Sequence, residues 1–148
     1  MNIRKSLENA LHDAMRQKDT PTMNAIRSVI AAIKLAEVEA GSPLDDVAVS
    51  SIIQKEIKSR RESIADAEKA GRSDLVNLAK QDIAVLEKFL PQQLTDAELE
   101  ELTRQTIQEV GATSISDMGK VMKALLPKVQ GRSPGDKVSQ MVKRVLAG

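Results

Sequence analysis

Few side chains in this sequence are equipped to make or break covalent bonds. There is one histidine, His12, and no cysteine. His12 and Asp13 are sequence neighbours, so on a helix they point about 100° apart and do not form a dyad. One imidazole and no thiolate leave a zinc site short of ligands. The acidic run Glu98, Glu100, Glu101 attracts a hard cation only weakly, and acidic residues suit a helix N-terminus in any case. Neither Gly-x-x-x-x-Gly-Lys-Ser/Thr nor Gly-x-Gly-x-x-Gly occurs. The nearest approach to a phosphate loop is Gly131-Arg132-Ser133-Pro134-Gly135-Asp136-Lys137. It sets two cations beside a helix N-terminus whose amides could hold an anion, but the same residues make an ordinary turn and cap. No catalytic residue, metal ligand or cofactor site is expected.

Cations are the more informative set. Lys120 and Lys123 lie one turn apart, opposite an apolar stripe. Lys128 and Arg132 follow in a loop. Lys137, Lys143 and Arg144 lie off the apolar face of the last helix, and Lys55, Lys58 and Arg61 share an outer face further upstream. Such rows are either solvated faces or surfaces that track phosphates. With one Phe, no Trp and no Tyr, bases cannot be stacked on aromatic platforms. Nucleic acid would have to be met through phosphates, 2′-hydroxyls and shape, which suits a folded RNA better than a single strand.

Apolar residues recur with helical spacing almost throughout, and no alternating run long enough for a strand appears. Seven helices are expected, giving an all-α fold. The first covers about 3–18, with Ile3, Leu7, Leu11, Ala14 and Met15 on one face. The second opens at Thr20-Pro21, with Thr20 as cap, and stops at Gly41 and Pro43. The third runs about 45–70, with Val49, Ile53, Ile57, Ile64 and Ala67 inward. Ser73 caps the fourth, about 74–90, which carries Leu75, Leu78, Ala79, Ile83, Leu86 and Leu90 and stops at Pro91. Thr95 and Glu98 have capping-box spacing and open the fifth, which ends at Gly111. Ser116 caps a sixth that runs up to Pro127, and Ser133-Pro134 opens the seventh.

Two charged residues interrupt apolar stripes. Arg60 lies between Ile57 and Ile64, and Asp82 between Ala79 and Leu86. If the turn at 71–73 makes an antiparallel hairpin, the two residues fall opposite one another. They are expected to form a partly buried ion pair, for which loss of one partner costs about 3–5 kcal/mol if burial is complete.

Leu90-Pro91-Gln92-Gln93-Leu94 is the best boundary, dividing a four-helix part, 1–91, from a three-helix part, 92–148. The second part is small for a core without disulfides and is expected to be marginal and mobile relative to the first. Charge also changes along the chain. Residues 1–91 carry 14 basic and 14 acidic side chains, residues 92–117 one basic and six acidic, and residues 118–148 seven basic and one acidic. The last two segments either neutralise each other within one fold or leave the basic end available to a partner. No run approaches the about 18 apolar residues of a membrane span. The missing cysteines and the absence of an apolar leader suggest the cytoplasm.

Leu90-Pro91-Gln92-Gln93-Leu94, Asp117-Met118-Gly119-Lys120-Val121-Met122 and Pro127-Lys128-Val129-Gln130-Gly131-Arg132 closely resemble the YqeY-like family. So do Gln54-Lys55-Glu56-Ile57-Lys58-Ser59-Arg60-Arg61-Glu62-Ser63-Ile64 and the turn Ala70-Gly71-Arg72. The likeness spans essentially the whole chain. One departure is Lys123, which stands where that pattern has a small residue and adds charge. The family is similar to the C-terminal tail domain of the B subunit of glutamine-dependent aspartyl/glutamyl-tRNA amidotransferase, and to tails on some glutaminyl-tRNA synthetases.

That resemblance implies a two-part helical fold and an affinity for tRNA, with Lys120, Lys123, Lys128, Arg132 and Lys143 as the RNA-binding residues. It implies no catalysis of the chain's own. The kinase, transamidase and glutaminase steps of the amidotransferase belong to other domains and chains. The expected function is a non-catalytic tRNA-binding module. One alternative is an accessory to a carbon–nitrogen ligase with glutamine as amide donor, partnered by an amidotransferase or an aminoacyl-tRNA synthetase. The other is a protein-interaction module using Met118, Met122 and Met141, adaptable apolar residues that a small domain could offer to a partner helix.

Overall fold

The computed structural model describes residues 2–148. It is all-α: α1 Ile3–Arg16, α2 Thr20–Ala40, α3 Asp46–Lys69, α4 Ser73–Glu87, α5 Asp96–Val110, α6 Met118–Val129 and α7 Gly135–Ala147, with a 3-10 turn Ile115–Asp117 before α6. The chain divides into two compact units, one ending at Leu90 and one spanning Pro91–Gly148.

Side chains at the N-cap start four of the helices by accepting otherwise orphaned amide protons. Asn2 accepts from the Lys5 amide, Asp19 from Thr22 and Asp45 from Ala48. Thr95 and Glu98 form the full reciprocal box at 3.1 and 3.2 Å. Helices α2 and α5 end on Gly41 and Gly111, whose φ of 71° and 69° is open to glycine at little steric cost.

Several expected helix ends are displaced. Asp19 caps α2, and Thr20 is its first helical residue. A carboxylate placed one residue earlier takes the cap and also accepts from the Thr22 hydroxyl at 2.7 Å. Ser73 and Ser133 make no capping bond. Arg72 and Pro134 hold those N-cap positions. Before α6 it is Asp117, not Ser116, that accepts the Thr113 and Ser114 amides. α6 does not stop at Pro127. In the last turn a proline forfeits a single bond, and the helix continues to Val129, with the Gln130 amide donating to the Leu126 carbonyl at 3.2 Å. α4 ends at Glu87, ahead of Pro91, and the chain continues in tight turns in which the Phe89 and Leu90 amides donate three residues back.

The core of the first unit is aliphatic: Ile3 and Leu7 of α1, Ile26, Val29 and Ile33 of α2, Val49, Ile53 and Ile57 of α3, and Leu86 of α4. Polar ties hold its helix ends. The Ile3 amide donates to Asp46 at 3.0 Å, and Glu37 accepts the Leu44 amide at 3.0 Å while pairing with Arg4. The core of the second unit gathers Leu99 of α5, Val121, Leu125 and Val129 of α6, and Val138, Met141 and Val142 of α7. Three residues expected to face inward do not: Met15, Leu75 and Leu78 are each close to half exposed.

Candidate nucleic-acid interface

In the second unit the acidic helix α5 lies against the basic helices α6 and α7, and three ion pairs join them. Lys128 of α6 bonds Glu109 and donates to the Thr106 hydroxyl at 3.3 Å. Lys137 of α7 meets Asp96 at 2.6 Å, and Arg144 meets Glu100 at 3.3 Å. The Lys137 bond holds the Asp96 carboxyl below its ordinary range. Solvated pairs of this kind add little stability. Their larger effect is on the field, because they cancel three of the seven cations in residues 118–148.

The remaining four are Lys120, Lys123, Arg132 and Lys143. Among the described residues none of them has a carboxylate within ion-pairing distance. The three lysines are exposed. Lys120 lends some of its field to Asp117, whose carboxyl is held low chiefly by the Thr113 and Ser114 amides. Arg132 is half-buried, and its Nε donates to the Gln92 carbonyl at 2.9 Å. A backbone acceptor positions the guanidinium without neutralising it.

Arg132 belongs to a clasp between two segments far apart in sequence. The Leu94 amide donates to the Arg132 carbonyl at 2.8 Å, and the Gln93 side chain reaches the Gly131 carbonyl at 3.3 Å. Gln130 enters this loop in the left-handed region, with φ of 50°. Gln92 and Gln93 are structural parts of this clasp, whereas the sequence marked them only as a boundary and as part of a family motif. The signal that could have singled them out is the Leu90–Leu94 motif itself, which is polar at its centre for no helical reason.

The five residues expected to meet RNA are therefore not equivalent. Lys128 and Arg132 line one open groove of about 500 Å³ along α5, which also carries Glu98 and Glu101, and Lys120, Lys123 and Lys143 lie outside it. The phosphate-loop reading of 131–137 is not supported, because Asp136 places its own carboxylate at the N-terminus of α7 and accepts the Lys137 amide at 2.9 Å. On the outer face of α3, Arg61 meets Glu87 at 3.3 Å. His12 is exposed on α1. Among the described residues no three His, Asp or Glu side chains gather as metal ligands, and no helix is long and apolar enough to cross a membrane.

The sequence of this two-unit helical chain matches a known class. Residues 4–146 fit the sequence profile of the YqeY-like proteins, and the chain belongs to that family. It is similar to altered inheritance of mitochondria protein 41, mitochondrial, of Pyrenophora tritici-repentis: 32% identical over 145 residues, covering 95% of this chain and 78% of that protein. The protein of the same name in Meyerozyma guilliermondii is 32% identical over 141 residues, covering 95% and 67%. That of Candida glabrata is 29% identical over 130 residues, covering 86% and 71%. These matches overturn the cytoplasmic expectation, since all three relatives are named as mitochondrial. The physical reason for the error is plain. An apolar leader marks secretion only, and organelle-targeting segments are amphipathic and basic. A lack of cysteine separates oxidising from reducing compartments, not one reducing compartment from another.

Proposed function

We propose that the chain is a non-catalytic tRNA-binding module, with the four-helix unit as scaffold and the three-helix unit as the contact part. The observation that carries this reading is the selective neutralisation of the second unit. Lys128, Lys137 and Arg144 are each matched by a carboxylate, while among the described residues Lys120, Lys123, Arg132 and Lys143 are left without one. Unmatched lysines favour phosphate oxygens, and a fixed guanidinium favours a bidentate contact with one. The single Phe89 is half-buried, so the contact is to backbone and shape rather than to stacked bases. In the accessory form of the reading, a glutamine-dependent amidotransferase supplies the chemistry and this chain holds the tRNA.

The test is a titration of the purified chain with tRNA at several salt concentrations. Four neutralised phosphates give a log–log salt slope of about −3. Binding that is absent, or indifferent to salt, overturns the reading. So does formation of amidated tRNA by the chain alone.

A further inference from the structure

Helix α5 carries five carboxylates, Asp96, Glu98, Glu100, Glu101 and Glu109, against one cation, Arg104. Three of the five reach off their own helix to a cation. Asp96 and Glu100, one turn apart, meet Lys137 and Arg144 of α7, and Glu109 at the other end meets Lys128 of α6. Packing does not require these bonds. The three helices are already joined by Leu99, Val121, Leu125, Val138 and Val142, all buried, and solvated ion pairs add little to such a core. All three pairs remain within reach of a competitor, the cations being 34% to 64% exposed and the carboxylates 36% to 77%. A carboxylate on a lysine or arginine takes the place of a phosphate oxygen, because both are oxyanions that accept the same N–H donors.

We propose that α5 is a built-in competitor of the RNA backbone. Its carboxylates occupy Lys128, Lys137 and Arg144 in the free chain, and phosphates must displace them before those cations join the contact. This rests on the tRNA-binding reading and adds a regulation of the same surface. Two observations favour it over a purely structural role for the pairs. First, Lys137, Gln140 and Arg144 offer their donors along one side of α7 and line an open cleft of about 210 Å³, where the lining carboxylate is Asp96. Glu100 divides its charge between Arg144 at 3.3 Å and Arg104 at 3.0 Å, so a phosphate has least to displace at Arg144. Second, the carboxylates set the field of the unit. Residues 92–148 carry eight basic and seven acidic side chains. Neutralising Asp96, Glu100 and Glu109 raises their net charge from +1 to +4 and returns three cations to the surface.

A double-mutant cycle read by tRNA titration at several salt concentrations tests the proposal, with circular dichroism confirming that each variant keeps its helix. Glu109→Gln is expected to bind severalfold more tightly than wild type and to steepen the log–log salt slope by about one. Lys128→Ala costs little in the wild-type background and removes the whole gain in the Glu109→Gln background. Asp96→Asn/Glu100→Gln/Glu109→Gln tightens binding by on the order of tenfold or more and takes the slope from about −3 to about −5. If wild type binds with its salt slope, but Glu109→Gln brings no gain or Lys128→Ala costs the same in both backgrounds, the competitor is overturned and the tRNA reading stands. If neither wild type nor any variant binds, both fall together.

Discussion

Arg60 of α3 and Asp82 of α4 meet at 3.2 Å, Nε to Oδ2, where the apolar core of the first unit gives way to the outer hairpin. Glu56, one turn before Arg60, takes a second guanidinium nitrogen at 2.7 Å, and its carboxylate is 3.4 Å from the Ser28 hydroxyl of α2. One arginine thus serves two carboxylates, with all three side chains largely shielded from water.

The asymmetry of that cluster predicts unequal losses. Asp82→Ala leaves Arg60 paired with Glu56 and costs about 1–2 kcal/mol. Arg60→Ala leaves two partly buried carboxylates facing each other and costs about 3 kcal/mol or more. Arg60→Met/Asp82→Leu recovers part of the Arg60→Ala loss, because an apolar pair fits the stripe that the charges interrupt, but stays below wild type because Glu56 is left without its guanidinium. Urea midpoints of the three variants give the order.

Ser133 has the sequence context of a helix cap, yet its hydroxyl is buried without a hydrogen-bond partner. Ser133→Ala is therefore neutral or stabilising by up to about 1 kcal/mol, whereas Thr95→Ala, which removes a working cap, destabilises by about 1 kcal/mol. Thermal melts of the two variants should move in opposite directions or differ by several degrees.

This contrast shows how much of the fold could be read from residues. All seven helices follow from apolar spacing, and the Thr95–Glu98 box and the Arg60–Asp82 pair follow from simple offsets, because local geometry dictates them. Ser73, Ser133 and Ser116 misled, because a hydroxyl caps only if the backbone before the helix turns it inward, and no side-chain type specifies that turn. Leu75 and Leu78 misled for another reason. Periodicity identifies an apolar face without saying whether a partner covers it. For the candidate interface, the list of cations was legible, but their inequality was not. That Lys128 faces Glu109, while Lys123 faces no carboxylate among the described residues, depends on which helices pack together.

That inequality makes the proposed RNA contact testable residue by residue. Lys120→Glu and Lys123→Glu each weaken tRNA binding and flatten the salt slope by about one. Lys128→Ala has a smaller effect, since its charge is already spent on Glu109. Arg132→Lys loses more than its charge would suggest, because a lysine cannot hold the Gln92 carbonyl and a phosphate in one plane. Binding isotherms at matched salt separate these outcomes.

Acid should loosen both units through defined carboxylates. Glu37 is held below its ordinary value of 4.5 chiefly by the Leu44 amide, with Arg4 adding to the effect, and Glu98 is held below 4.5 by Thr95. Asp117 is held below 3.8 by the Thr113 and Ser114 amides. Their folded-state pKa values lie below the unfolded ones, so at intermediate pH the unfolded chain binds more protons. The stability they confer is complete above those ordinary values and is lost as pH falls through the lower folded ones. Urea midpoints should be flat with respect to these groups at neutral pH and fall in acid. Glu37→Gln should be less stable at neutral pH and show a shallower acid limb.

The bonds linking Gln92, Gln93 and Leu94 to residues 131 and 132 fix where the three-helix piece can be cut for transplantation. A fusion that begins at Thr95 would keep every helix and lose half of the knot that closes them, so the graft should begin ahead of Pro91. Conversely, trimming the tail back to residue 130 would remove α7 with Val138, Met141 and Val142 of the core, as well as the partners of Gln92, Gln93 and Leu94 about forty residues upstream.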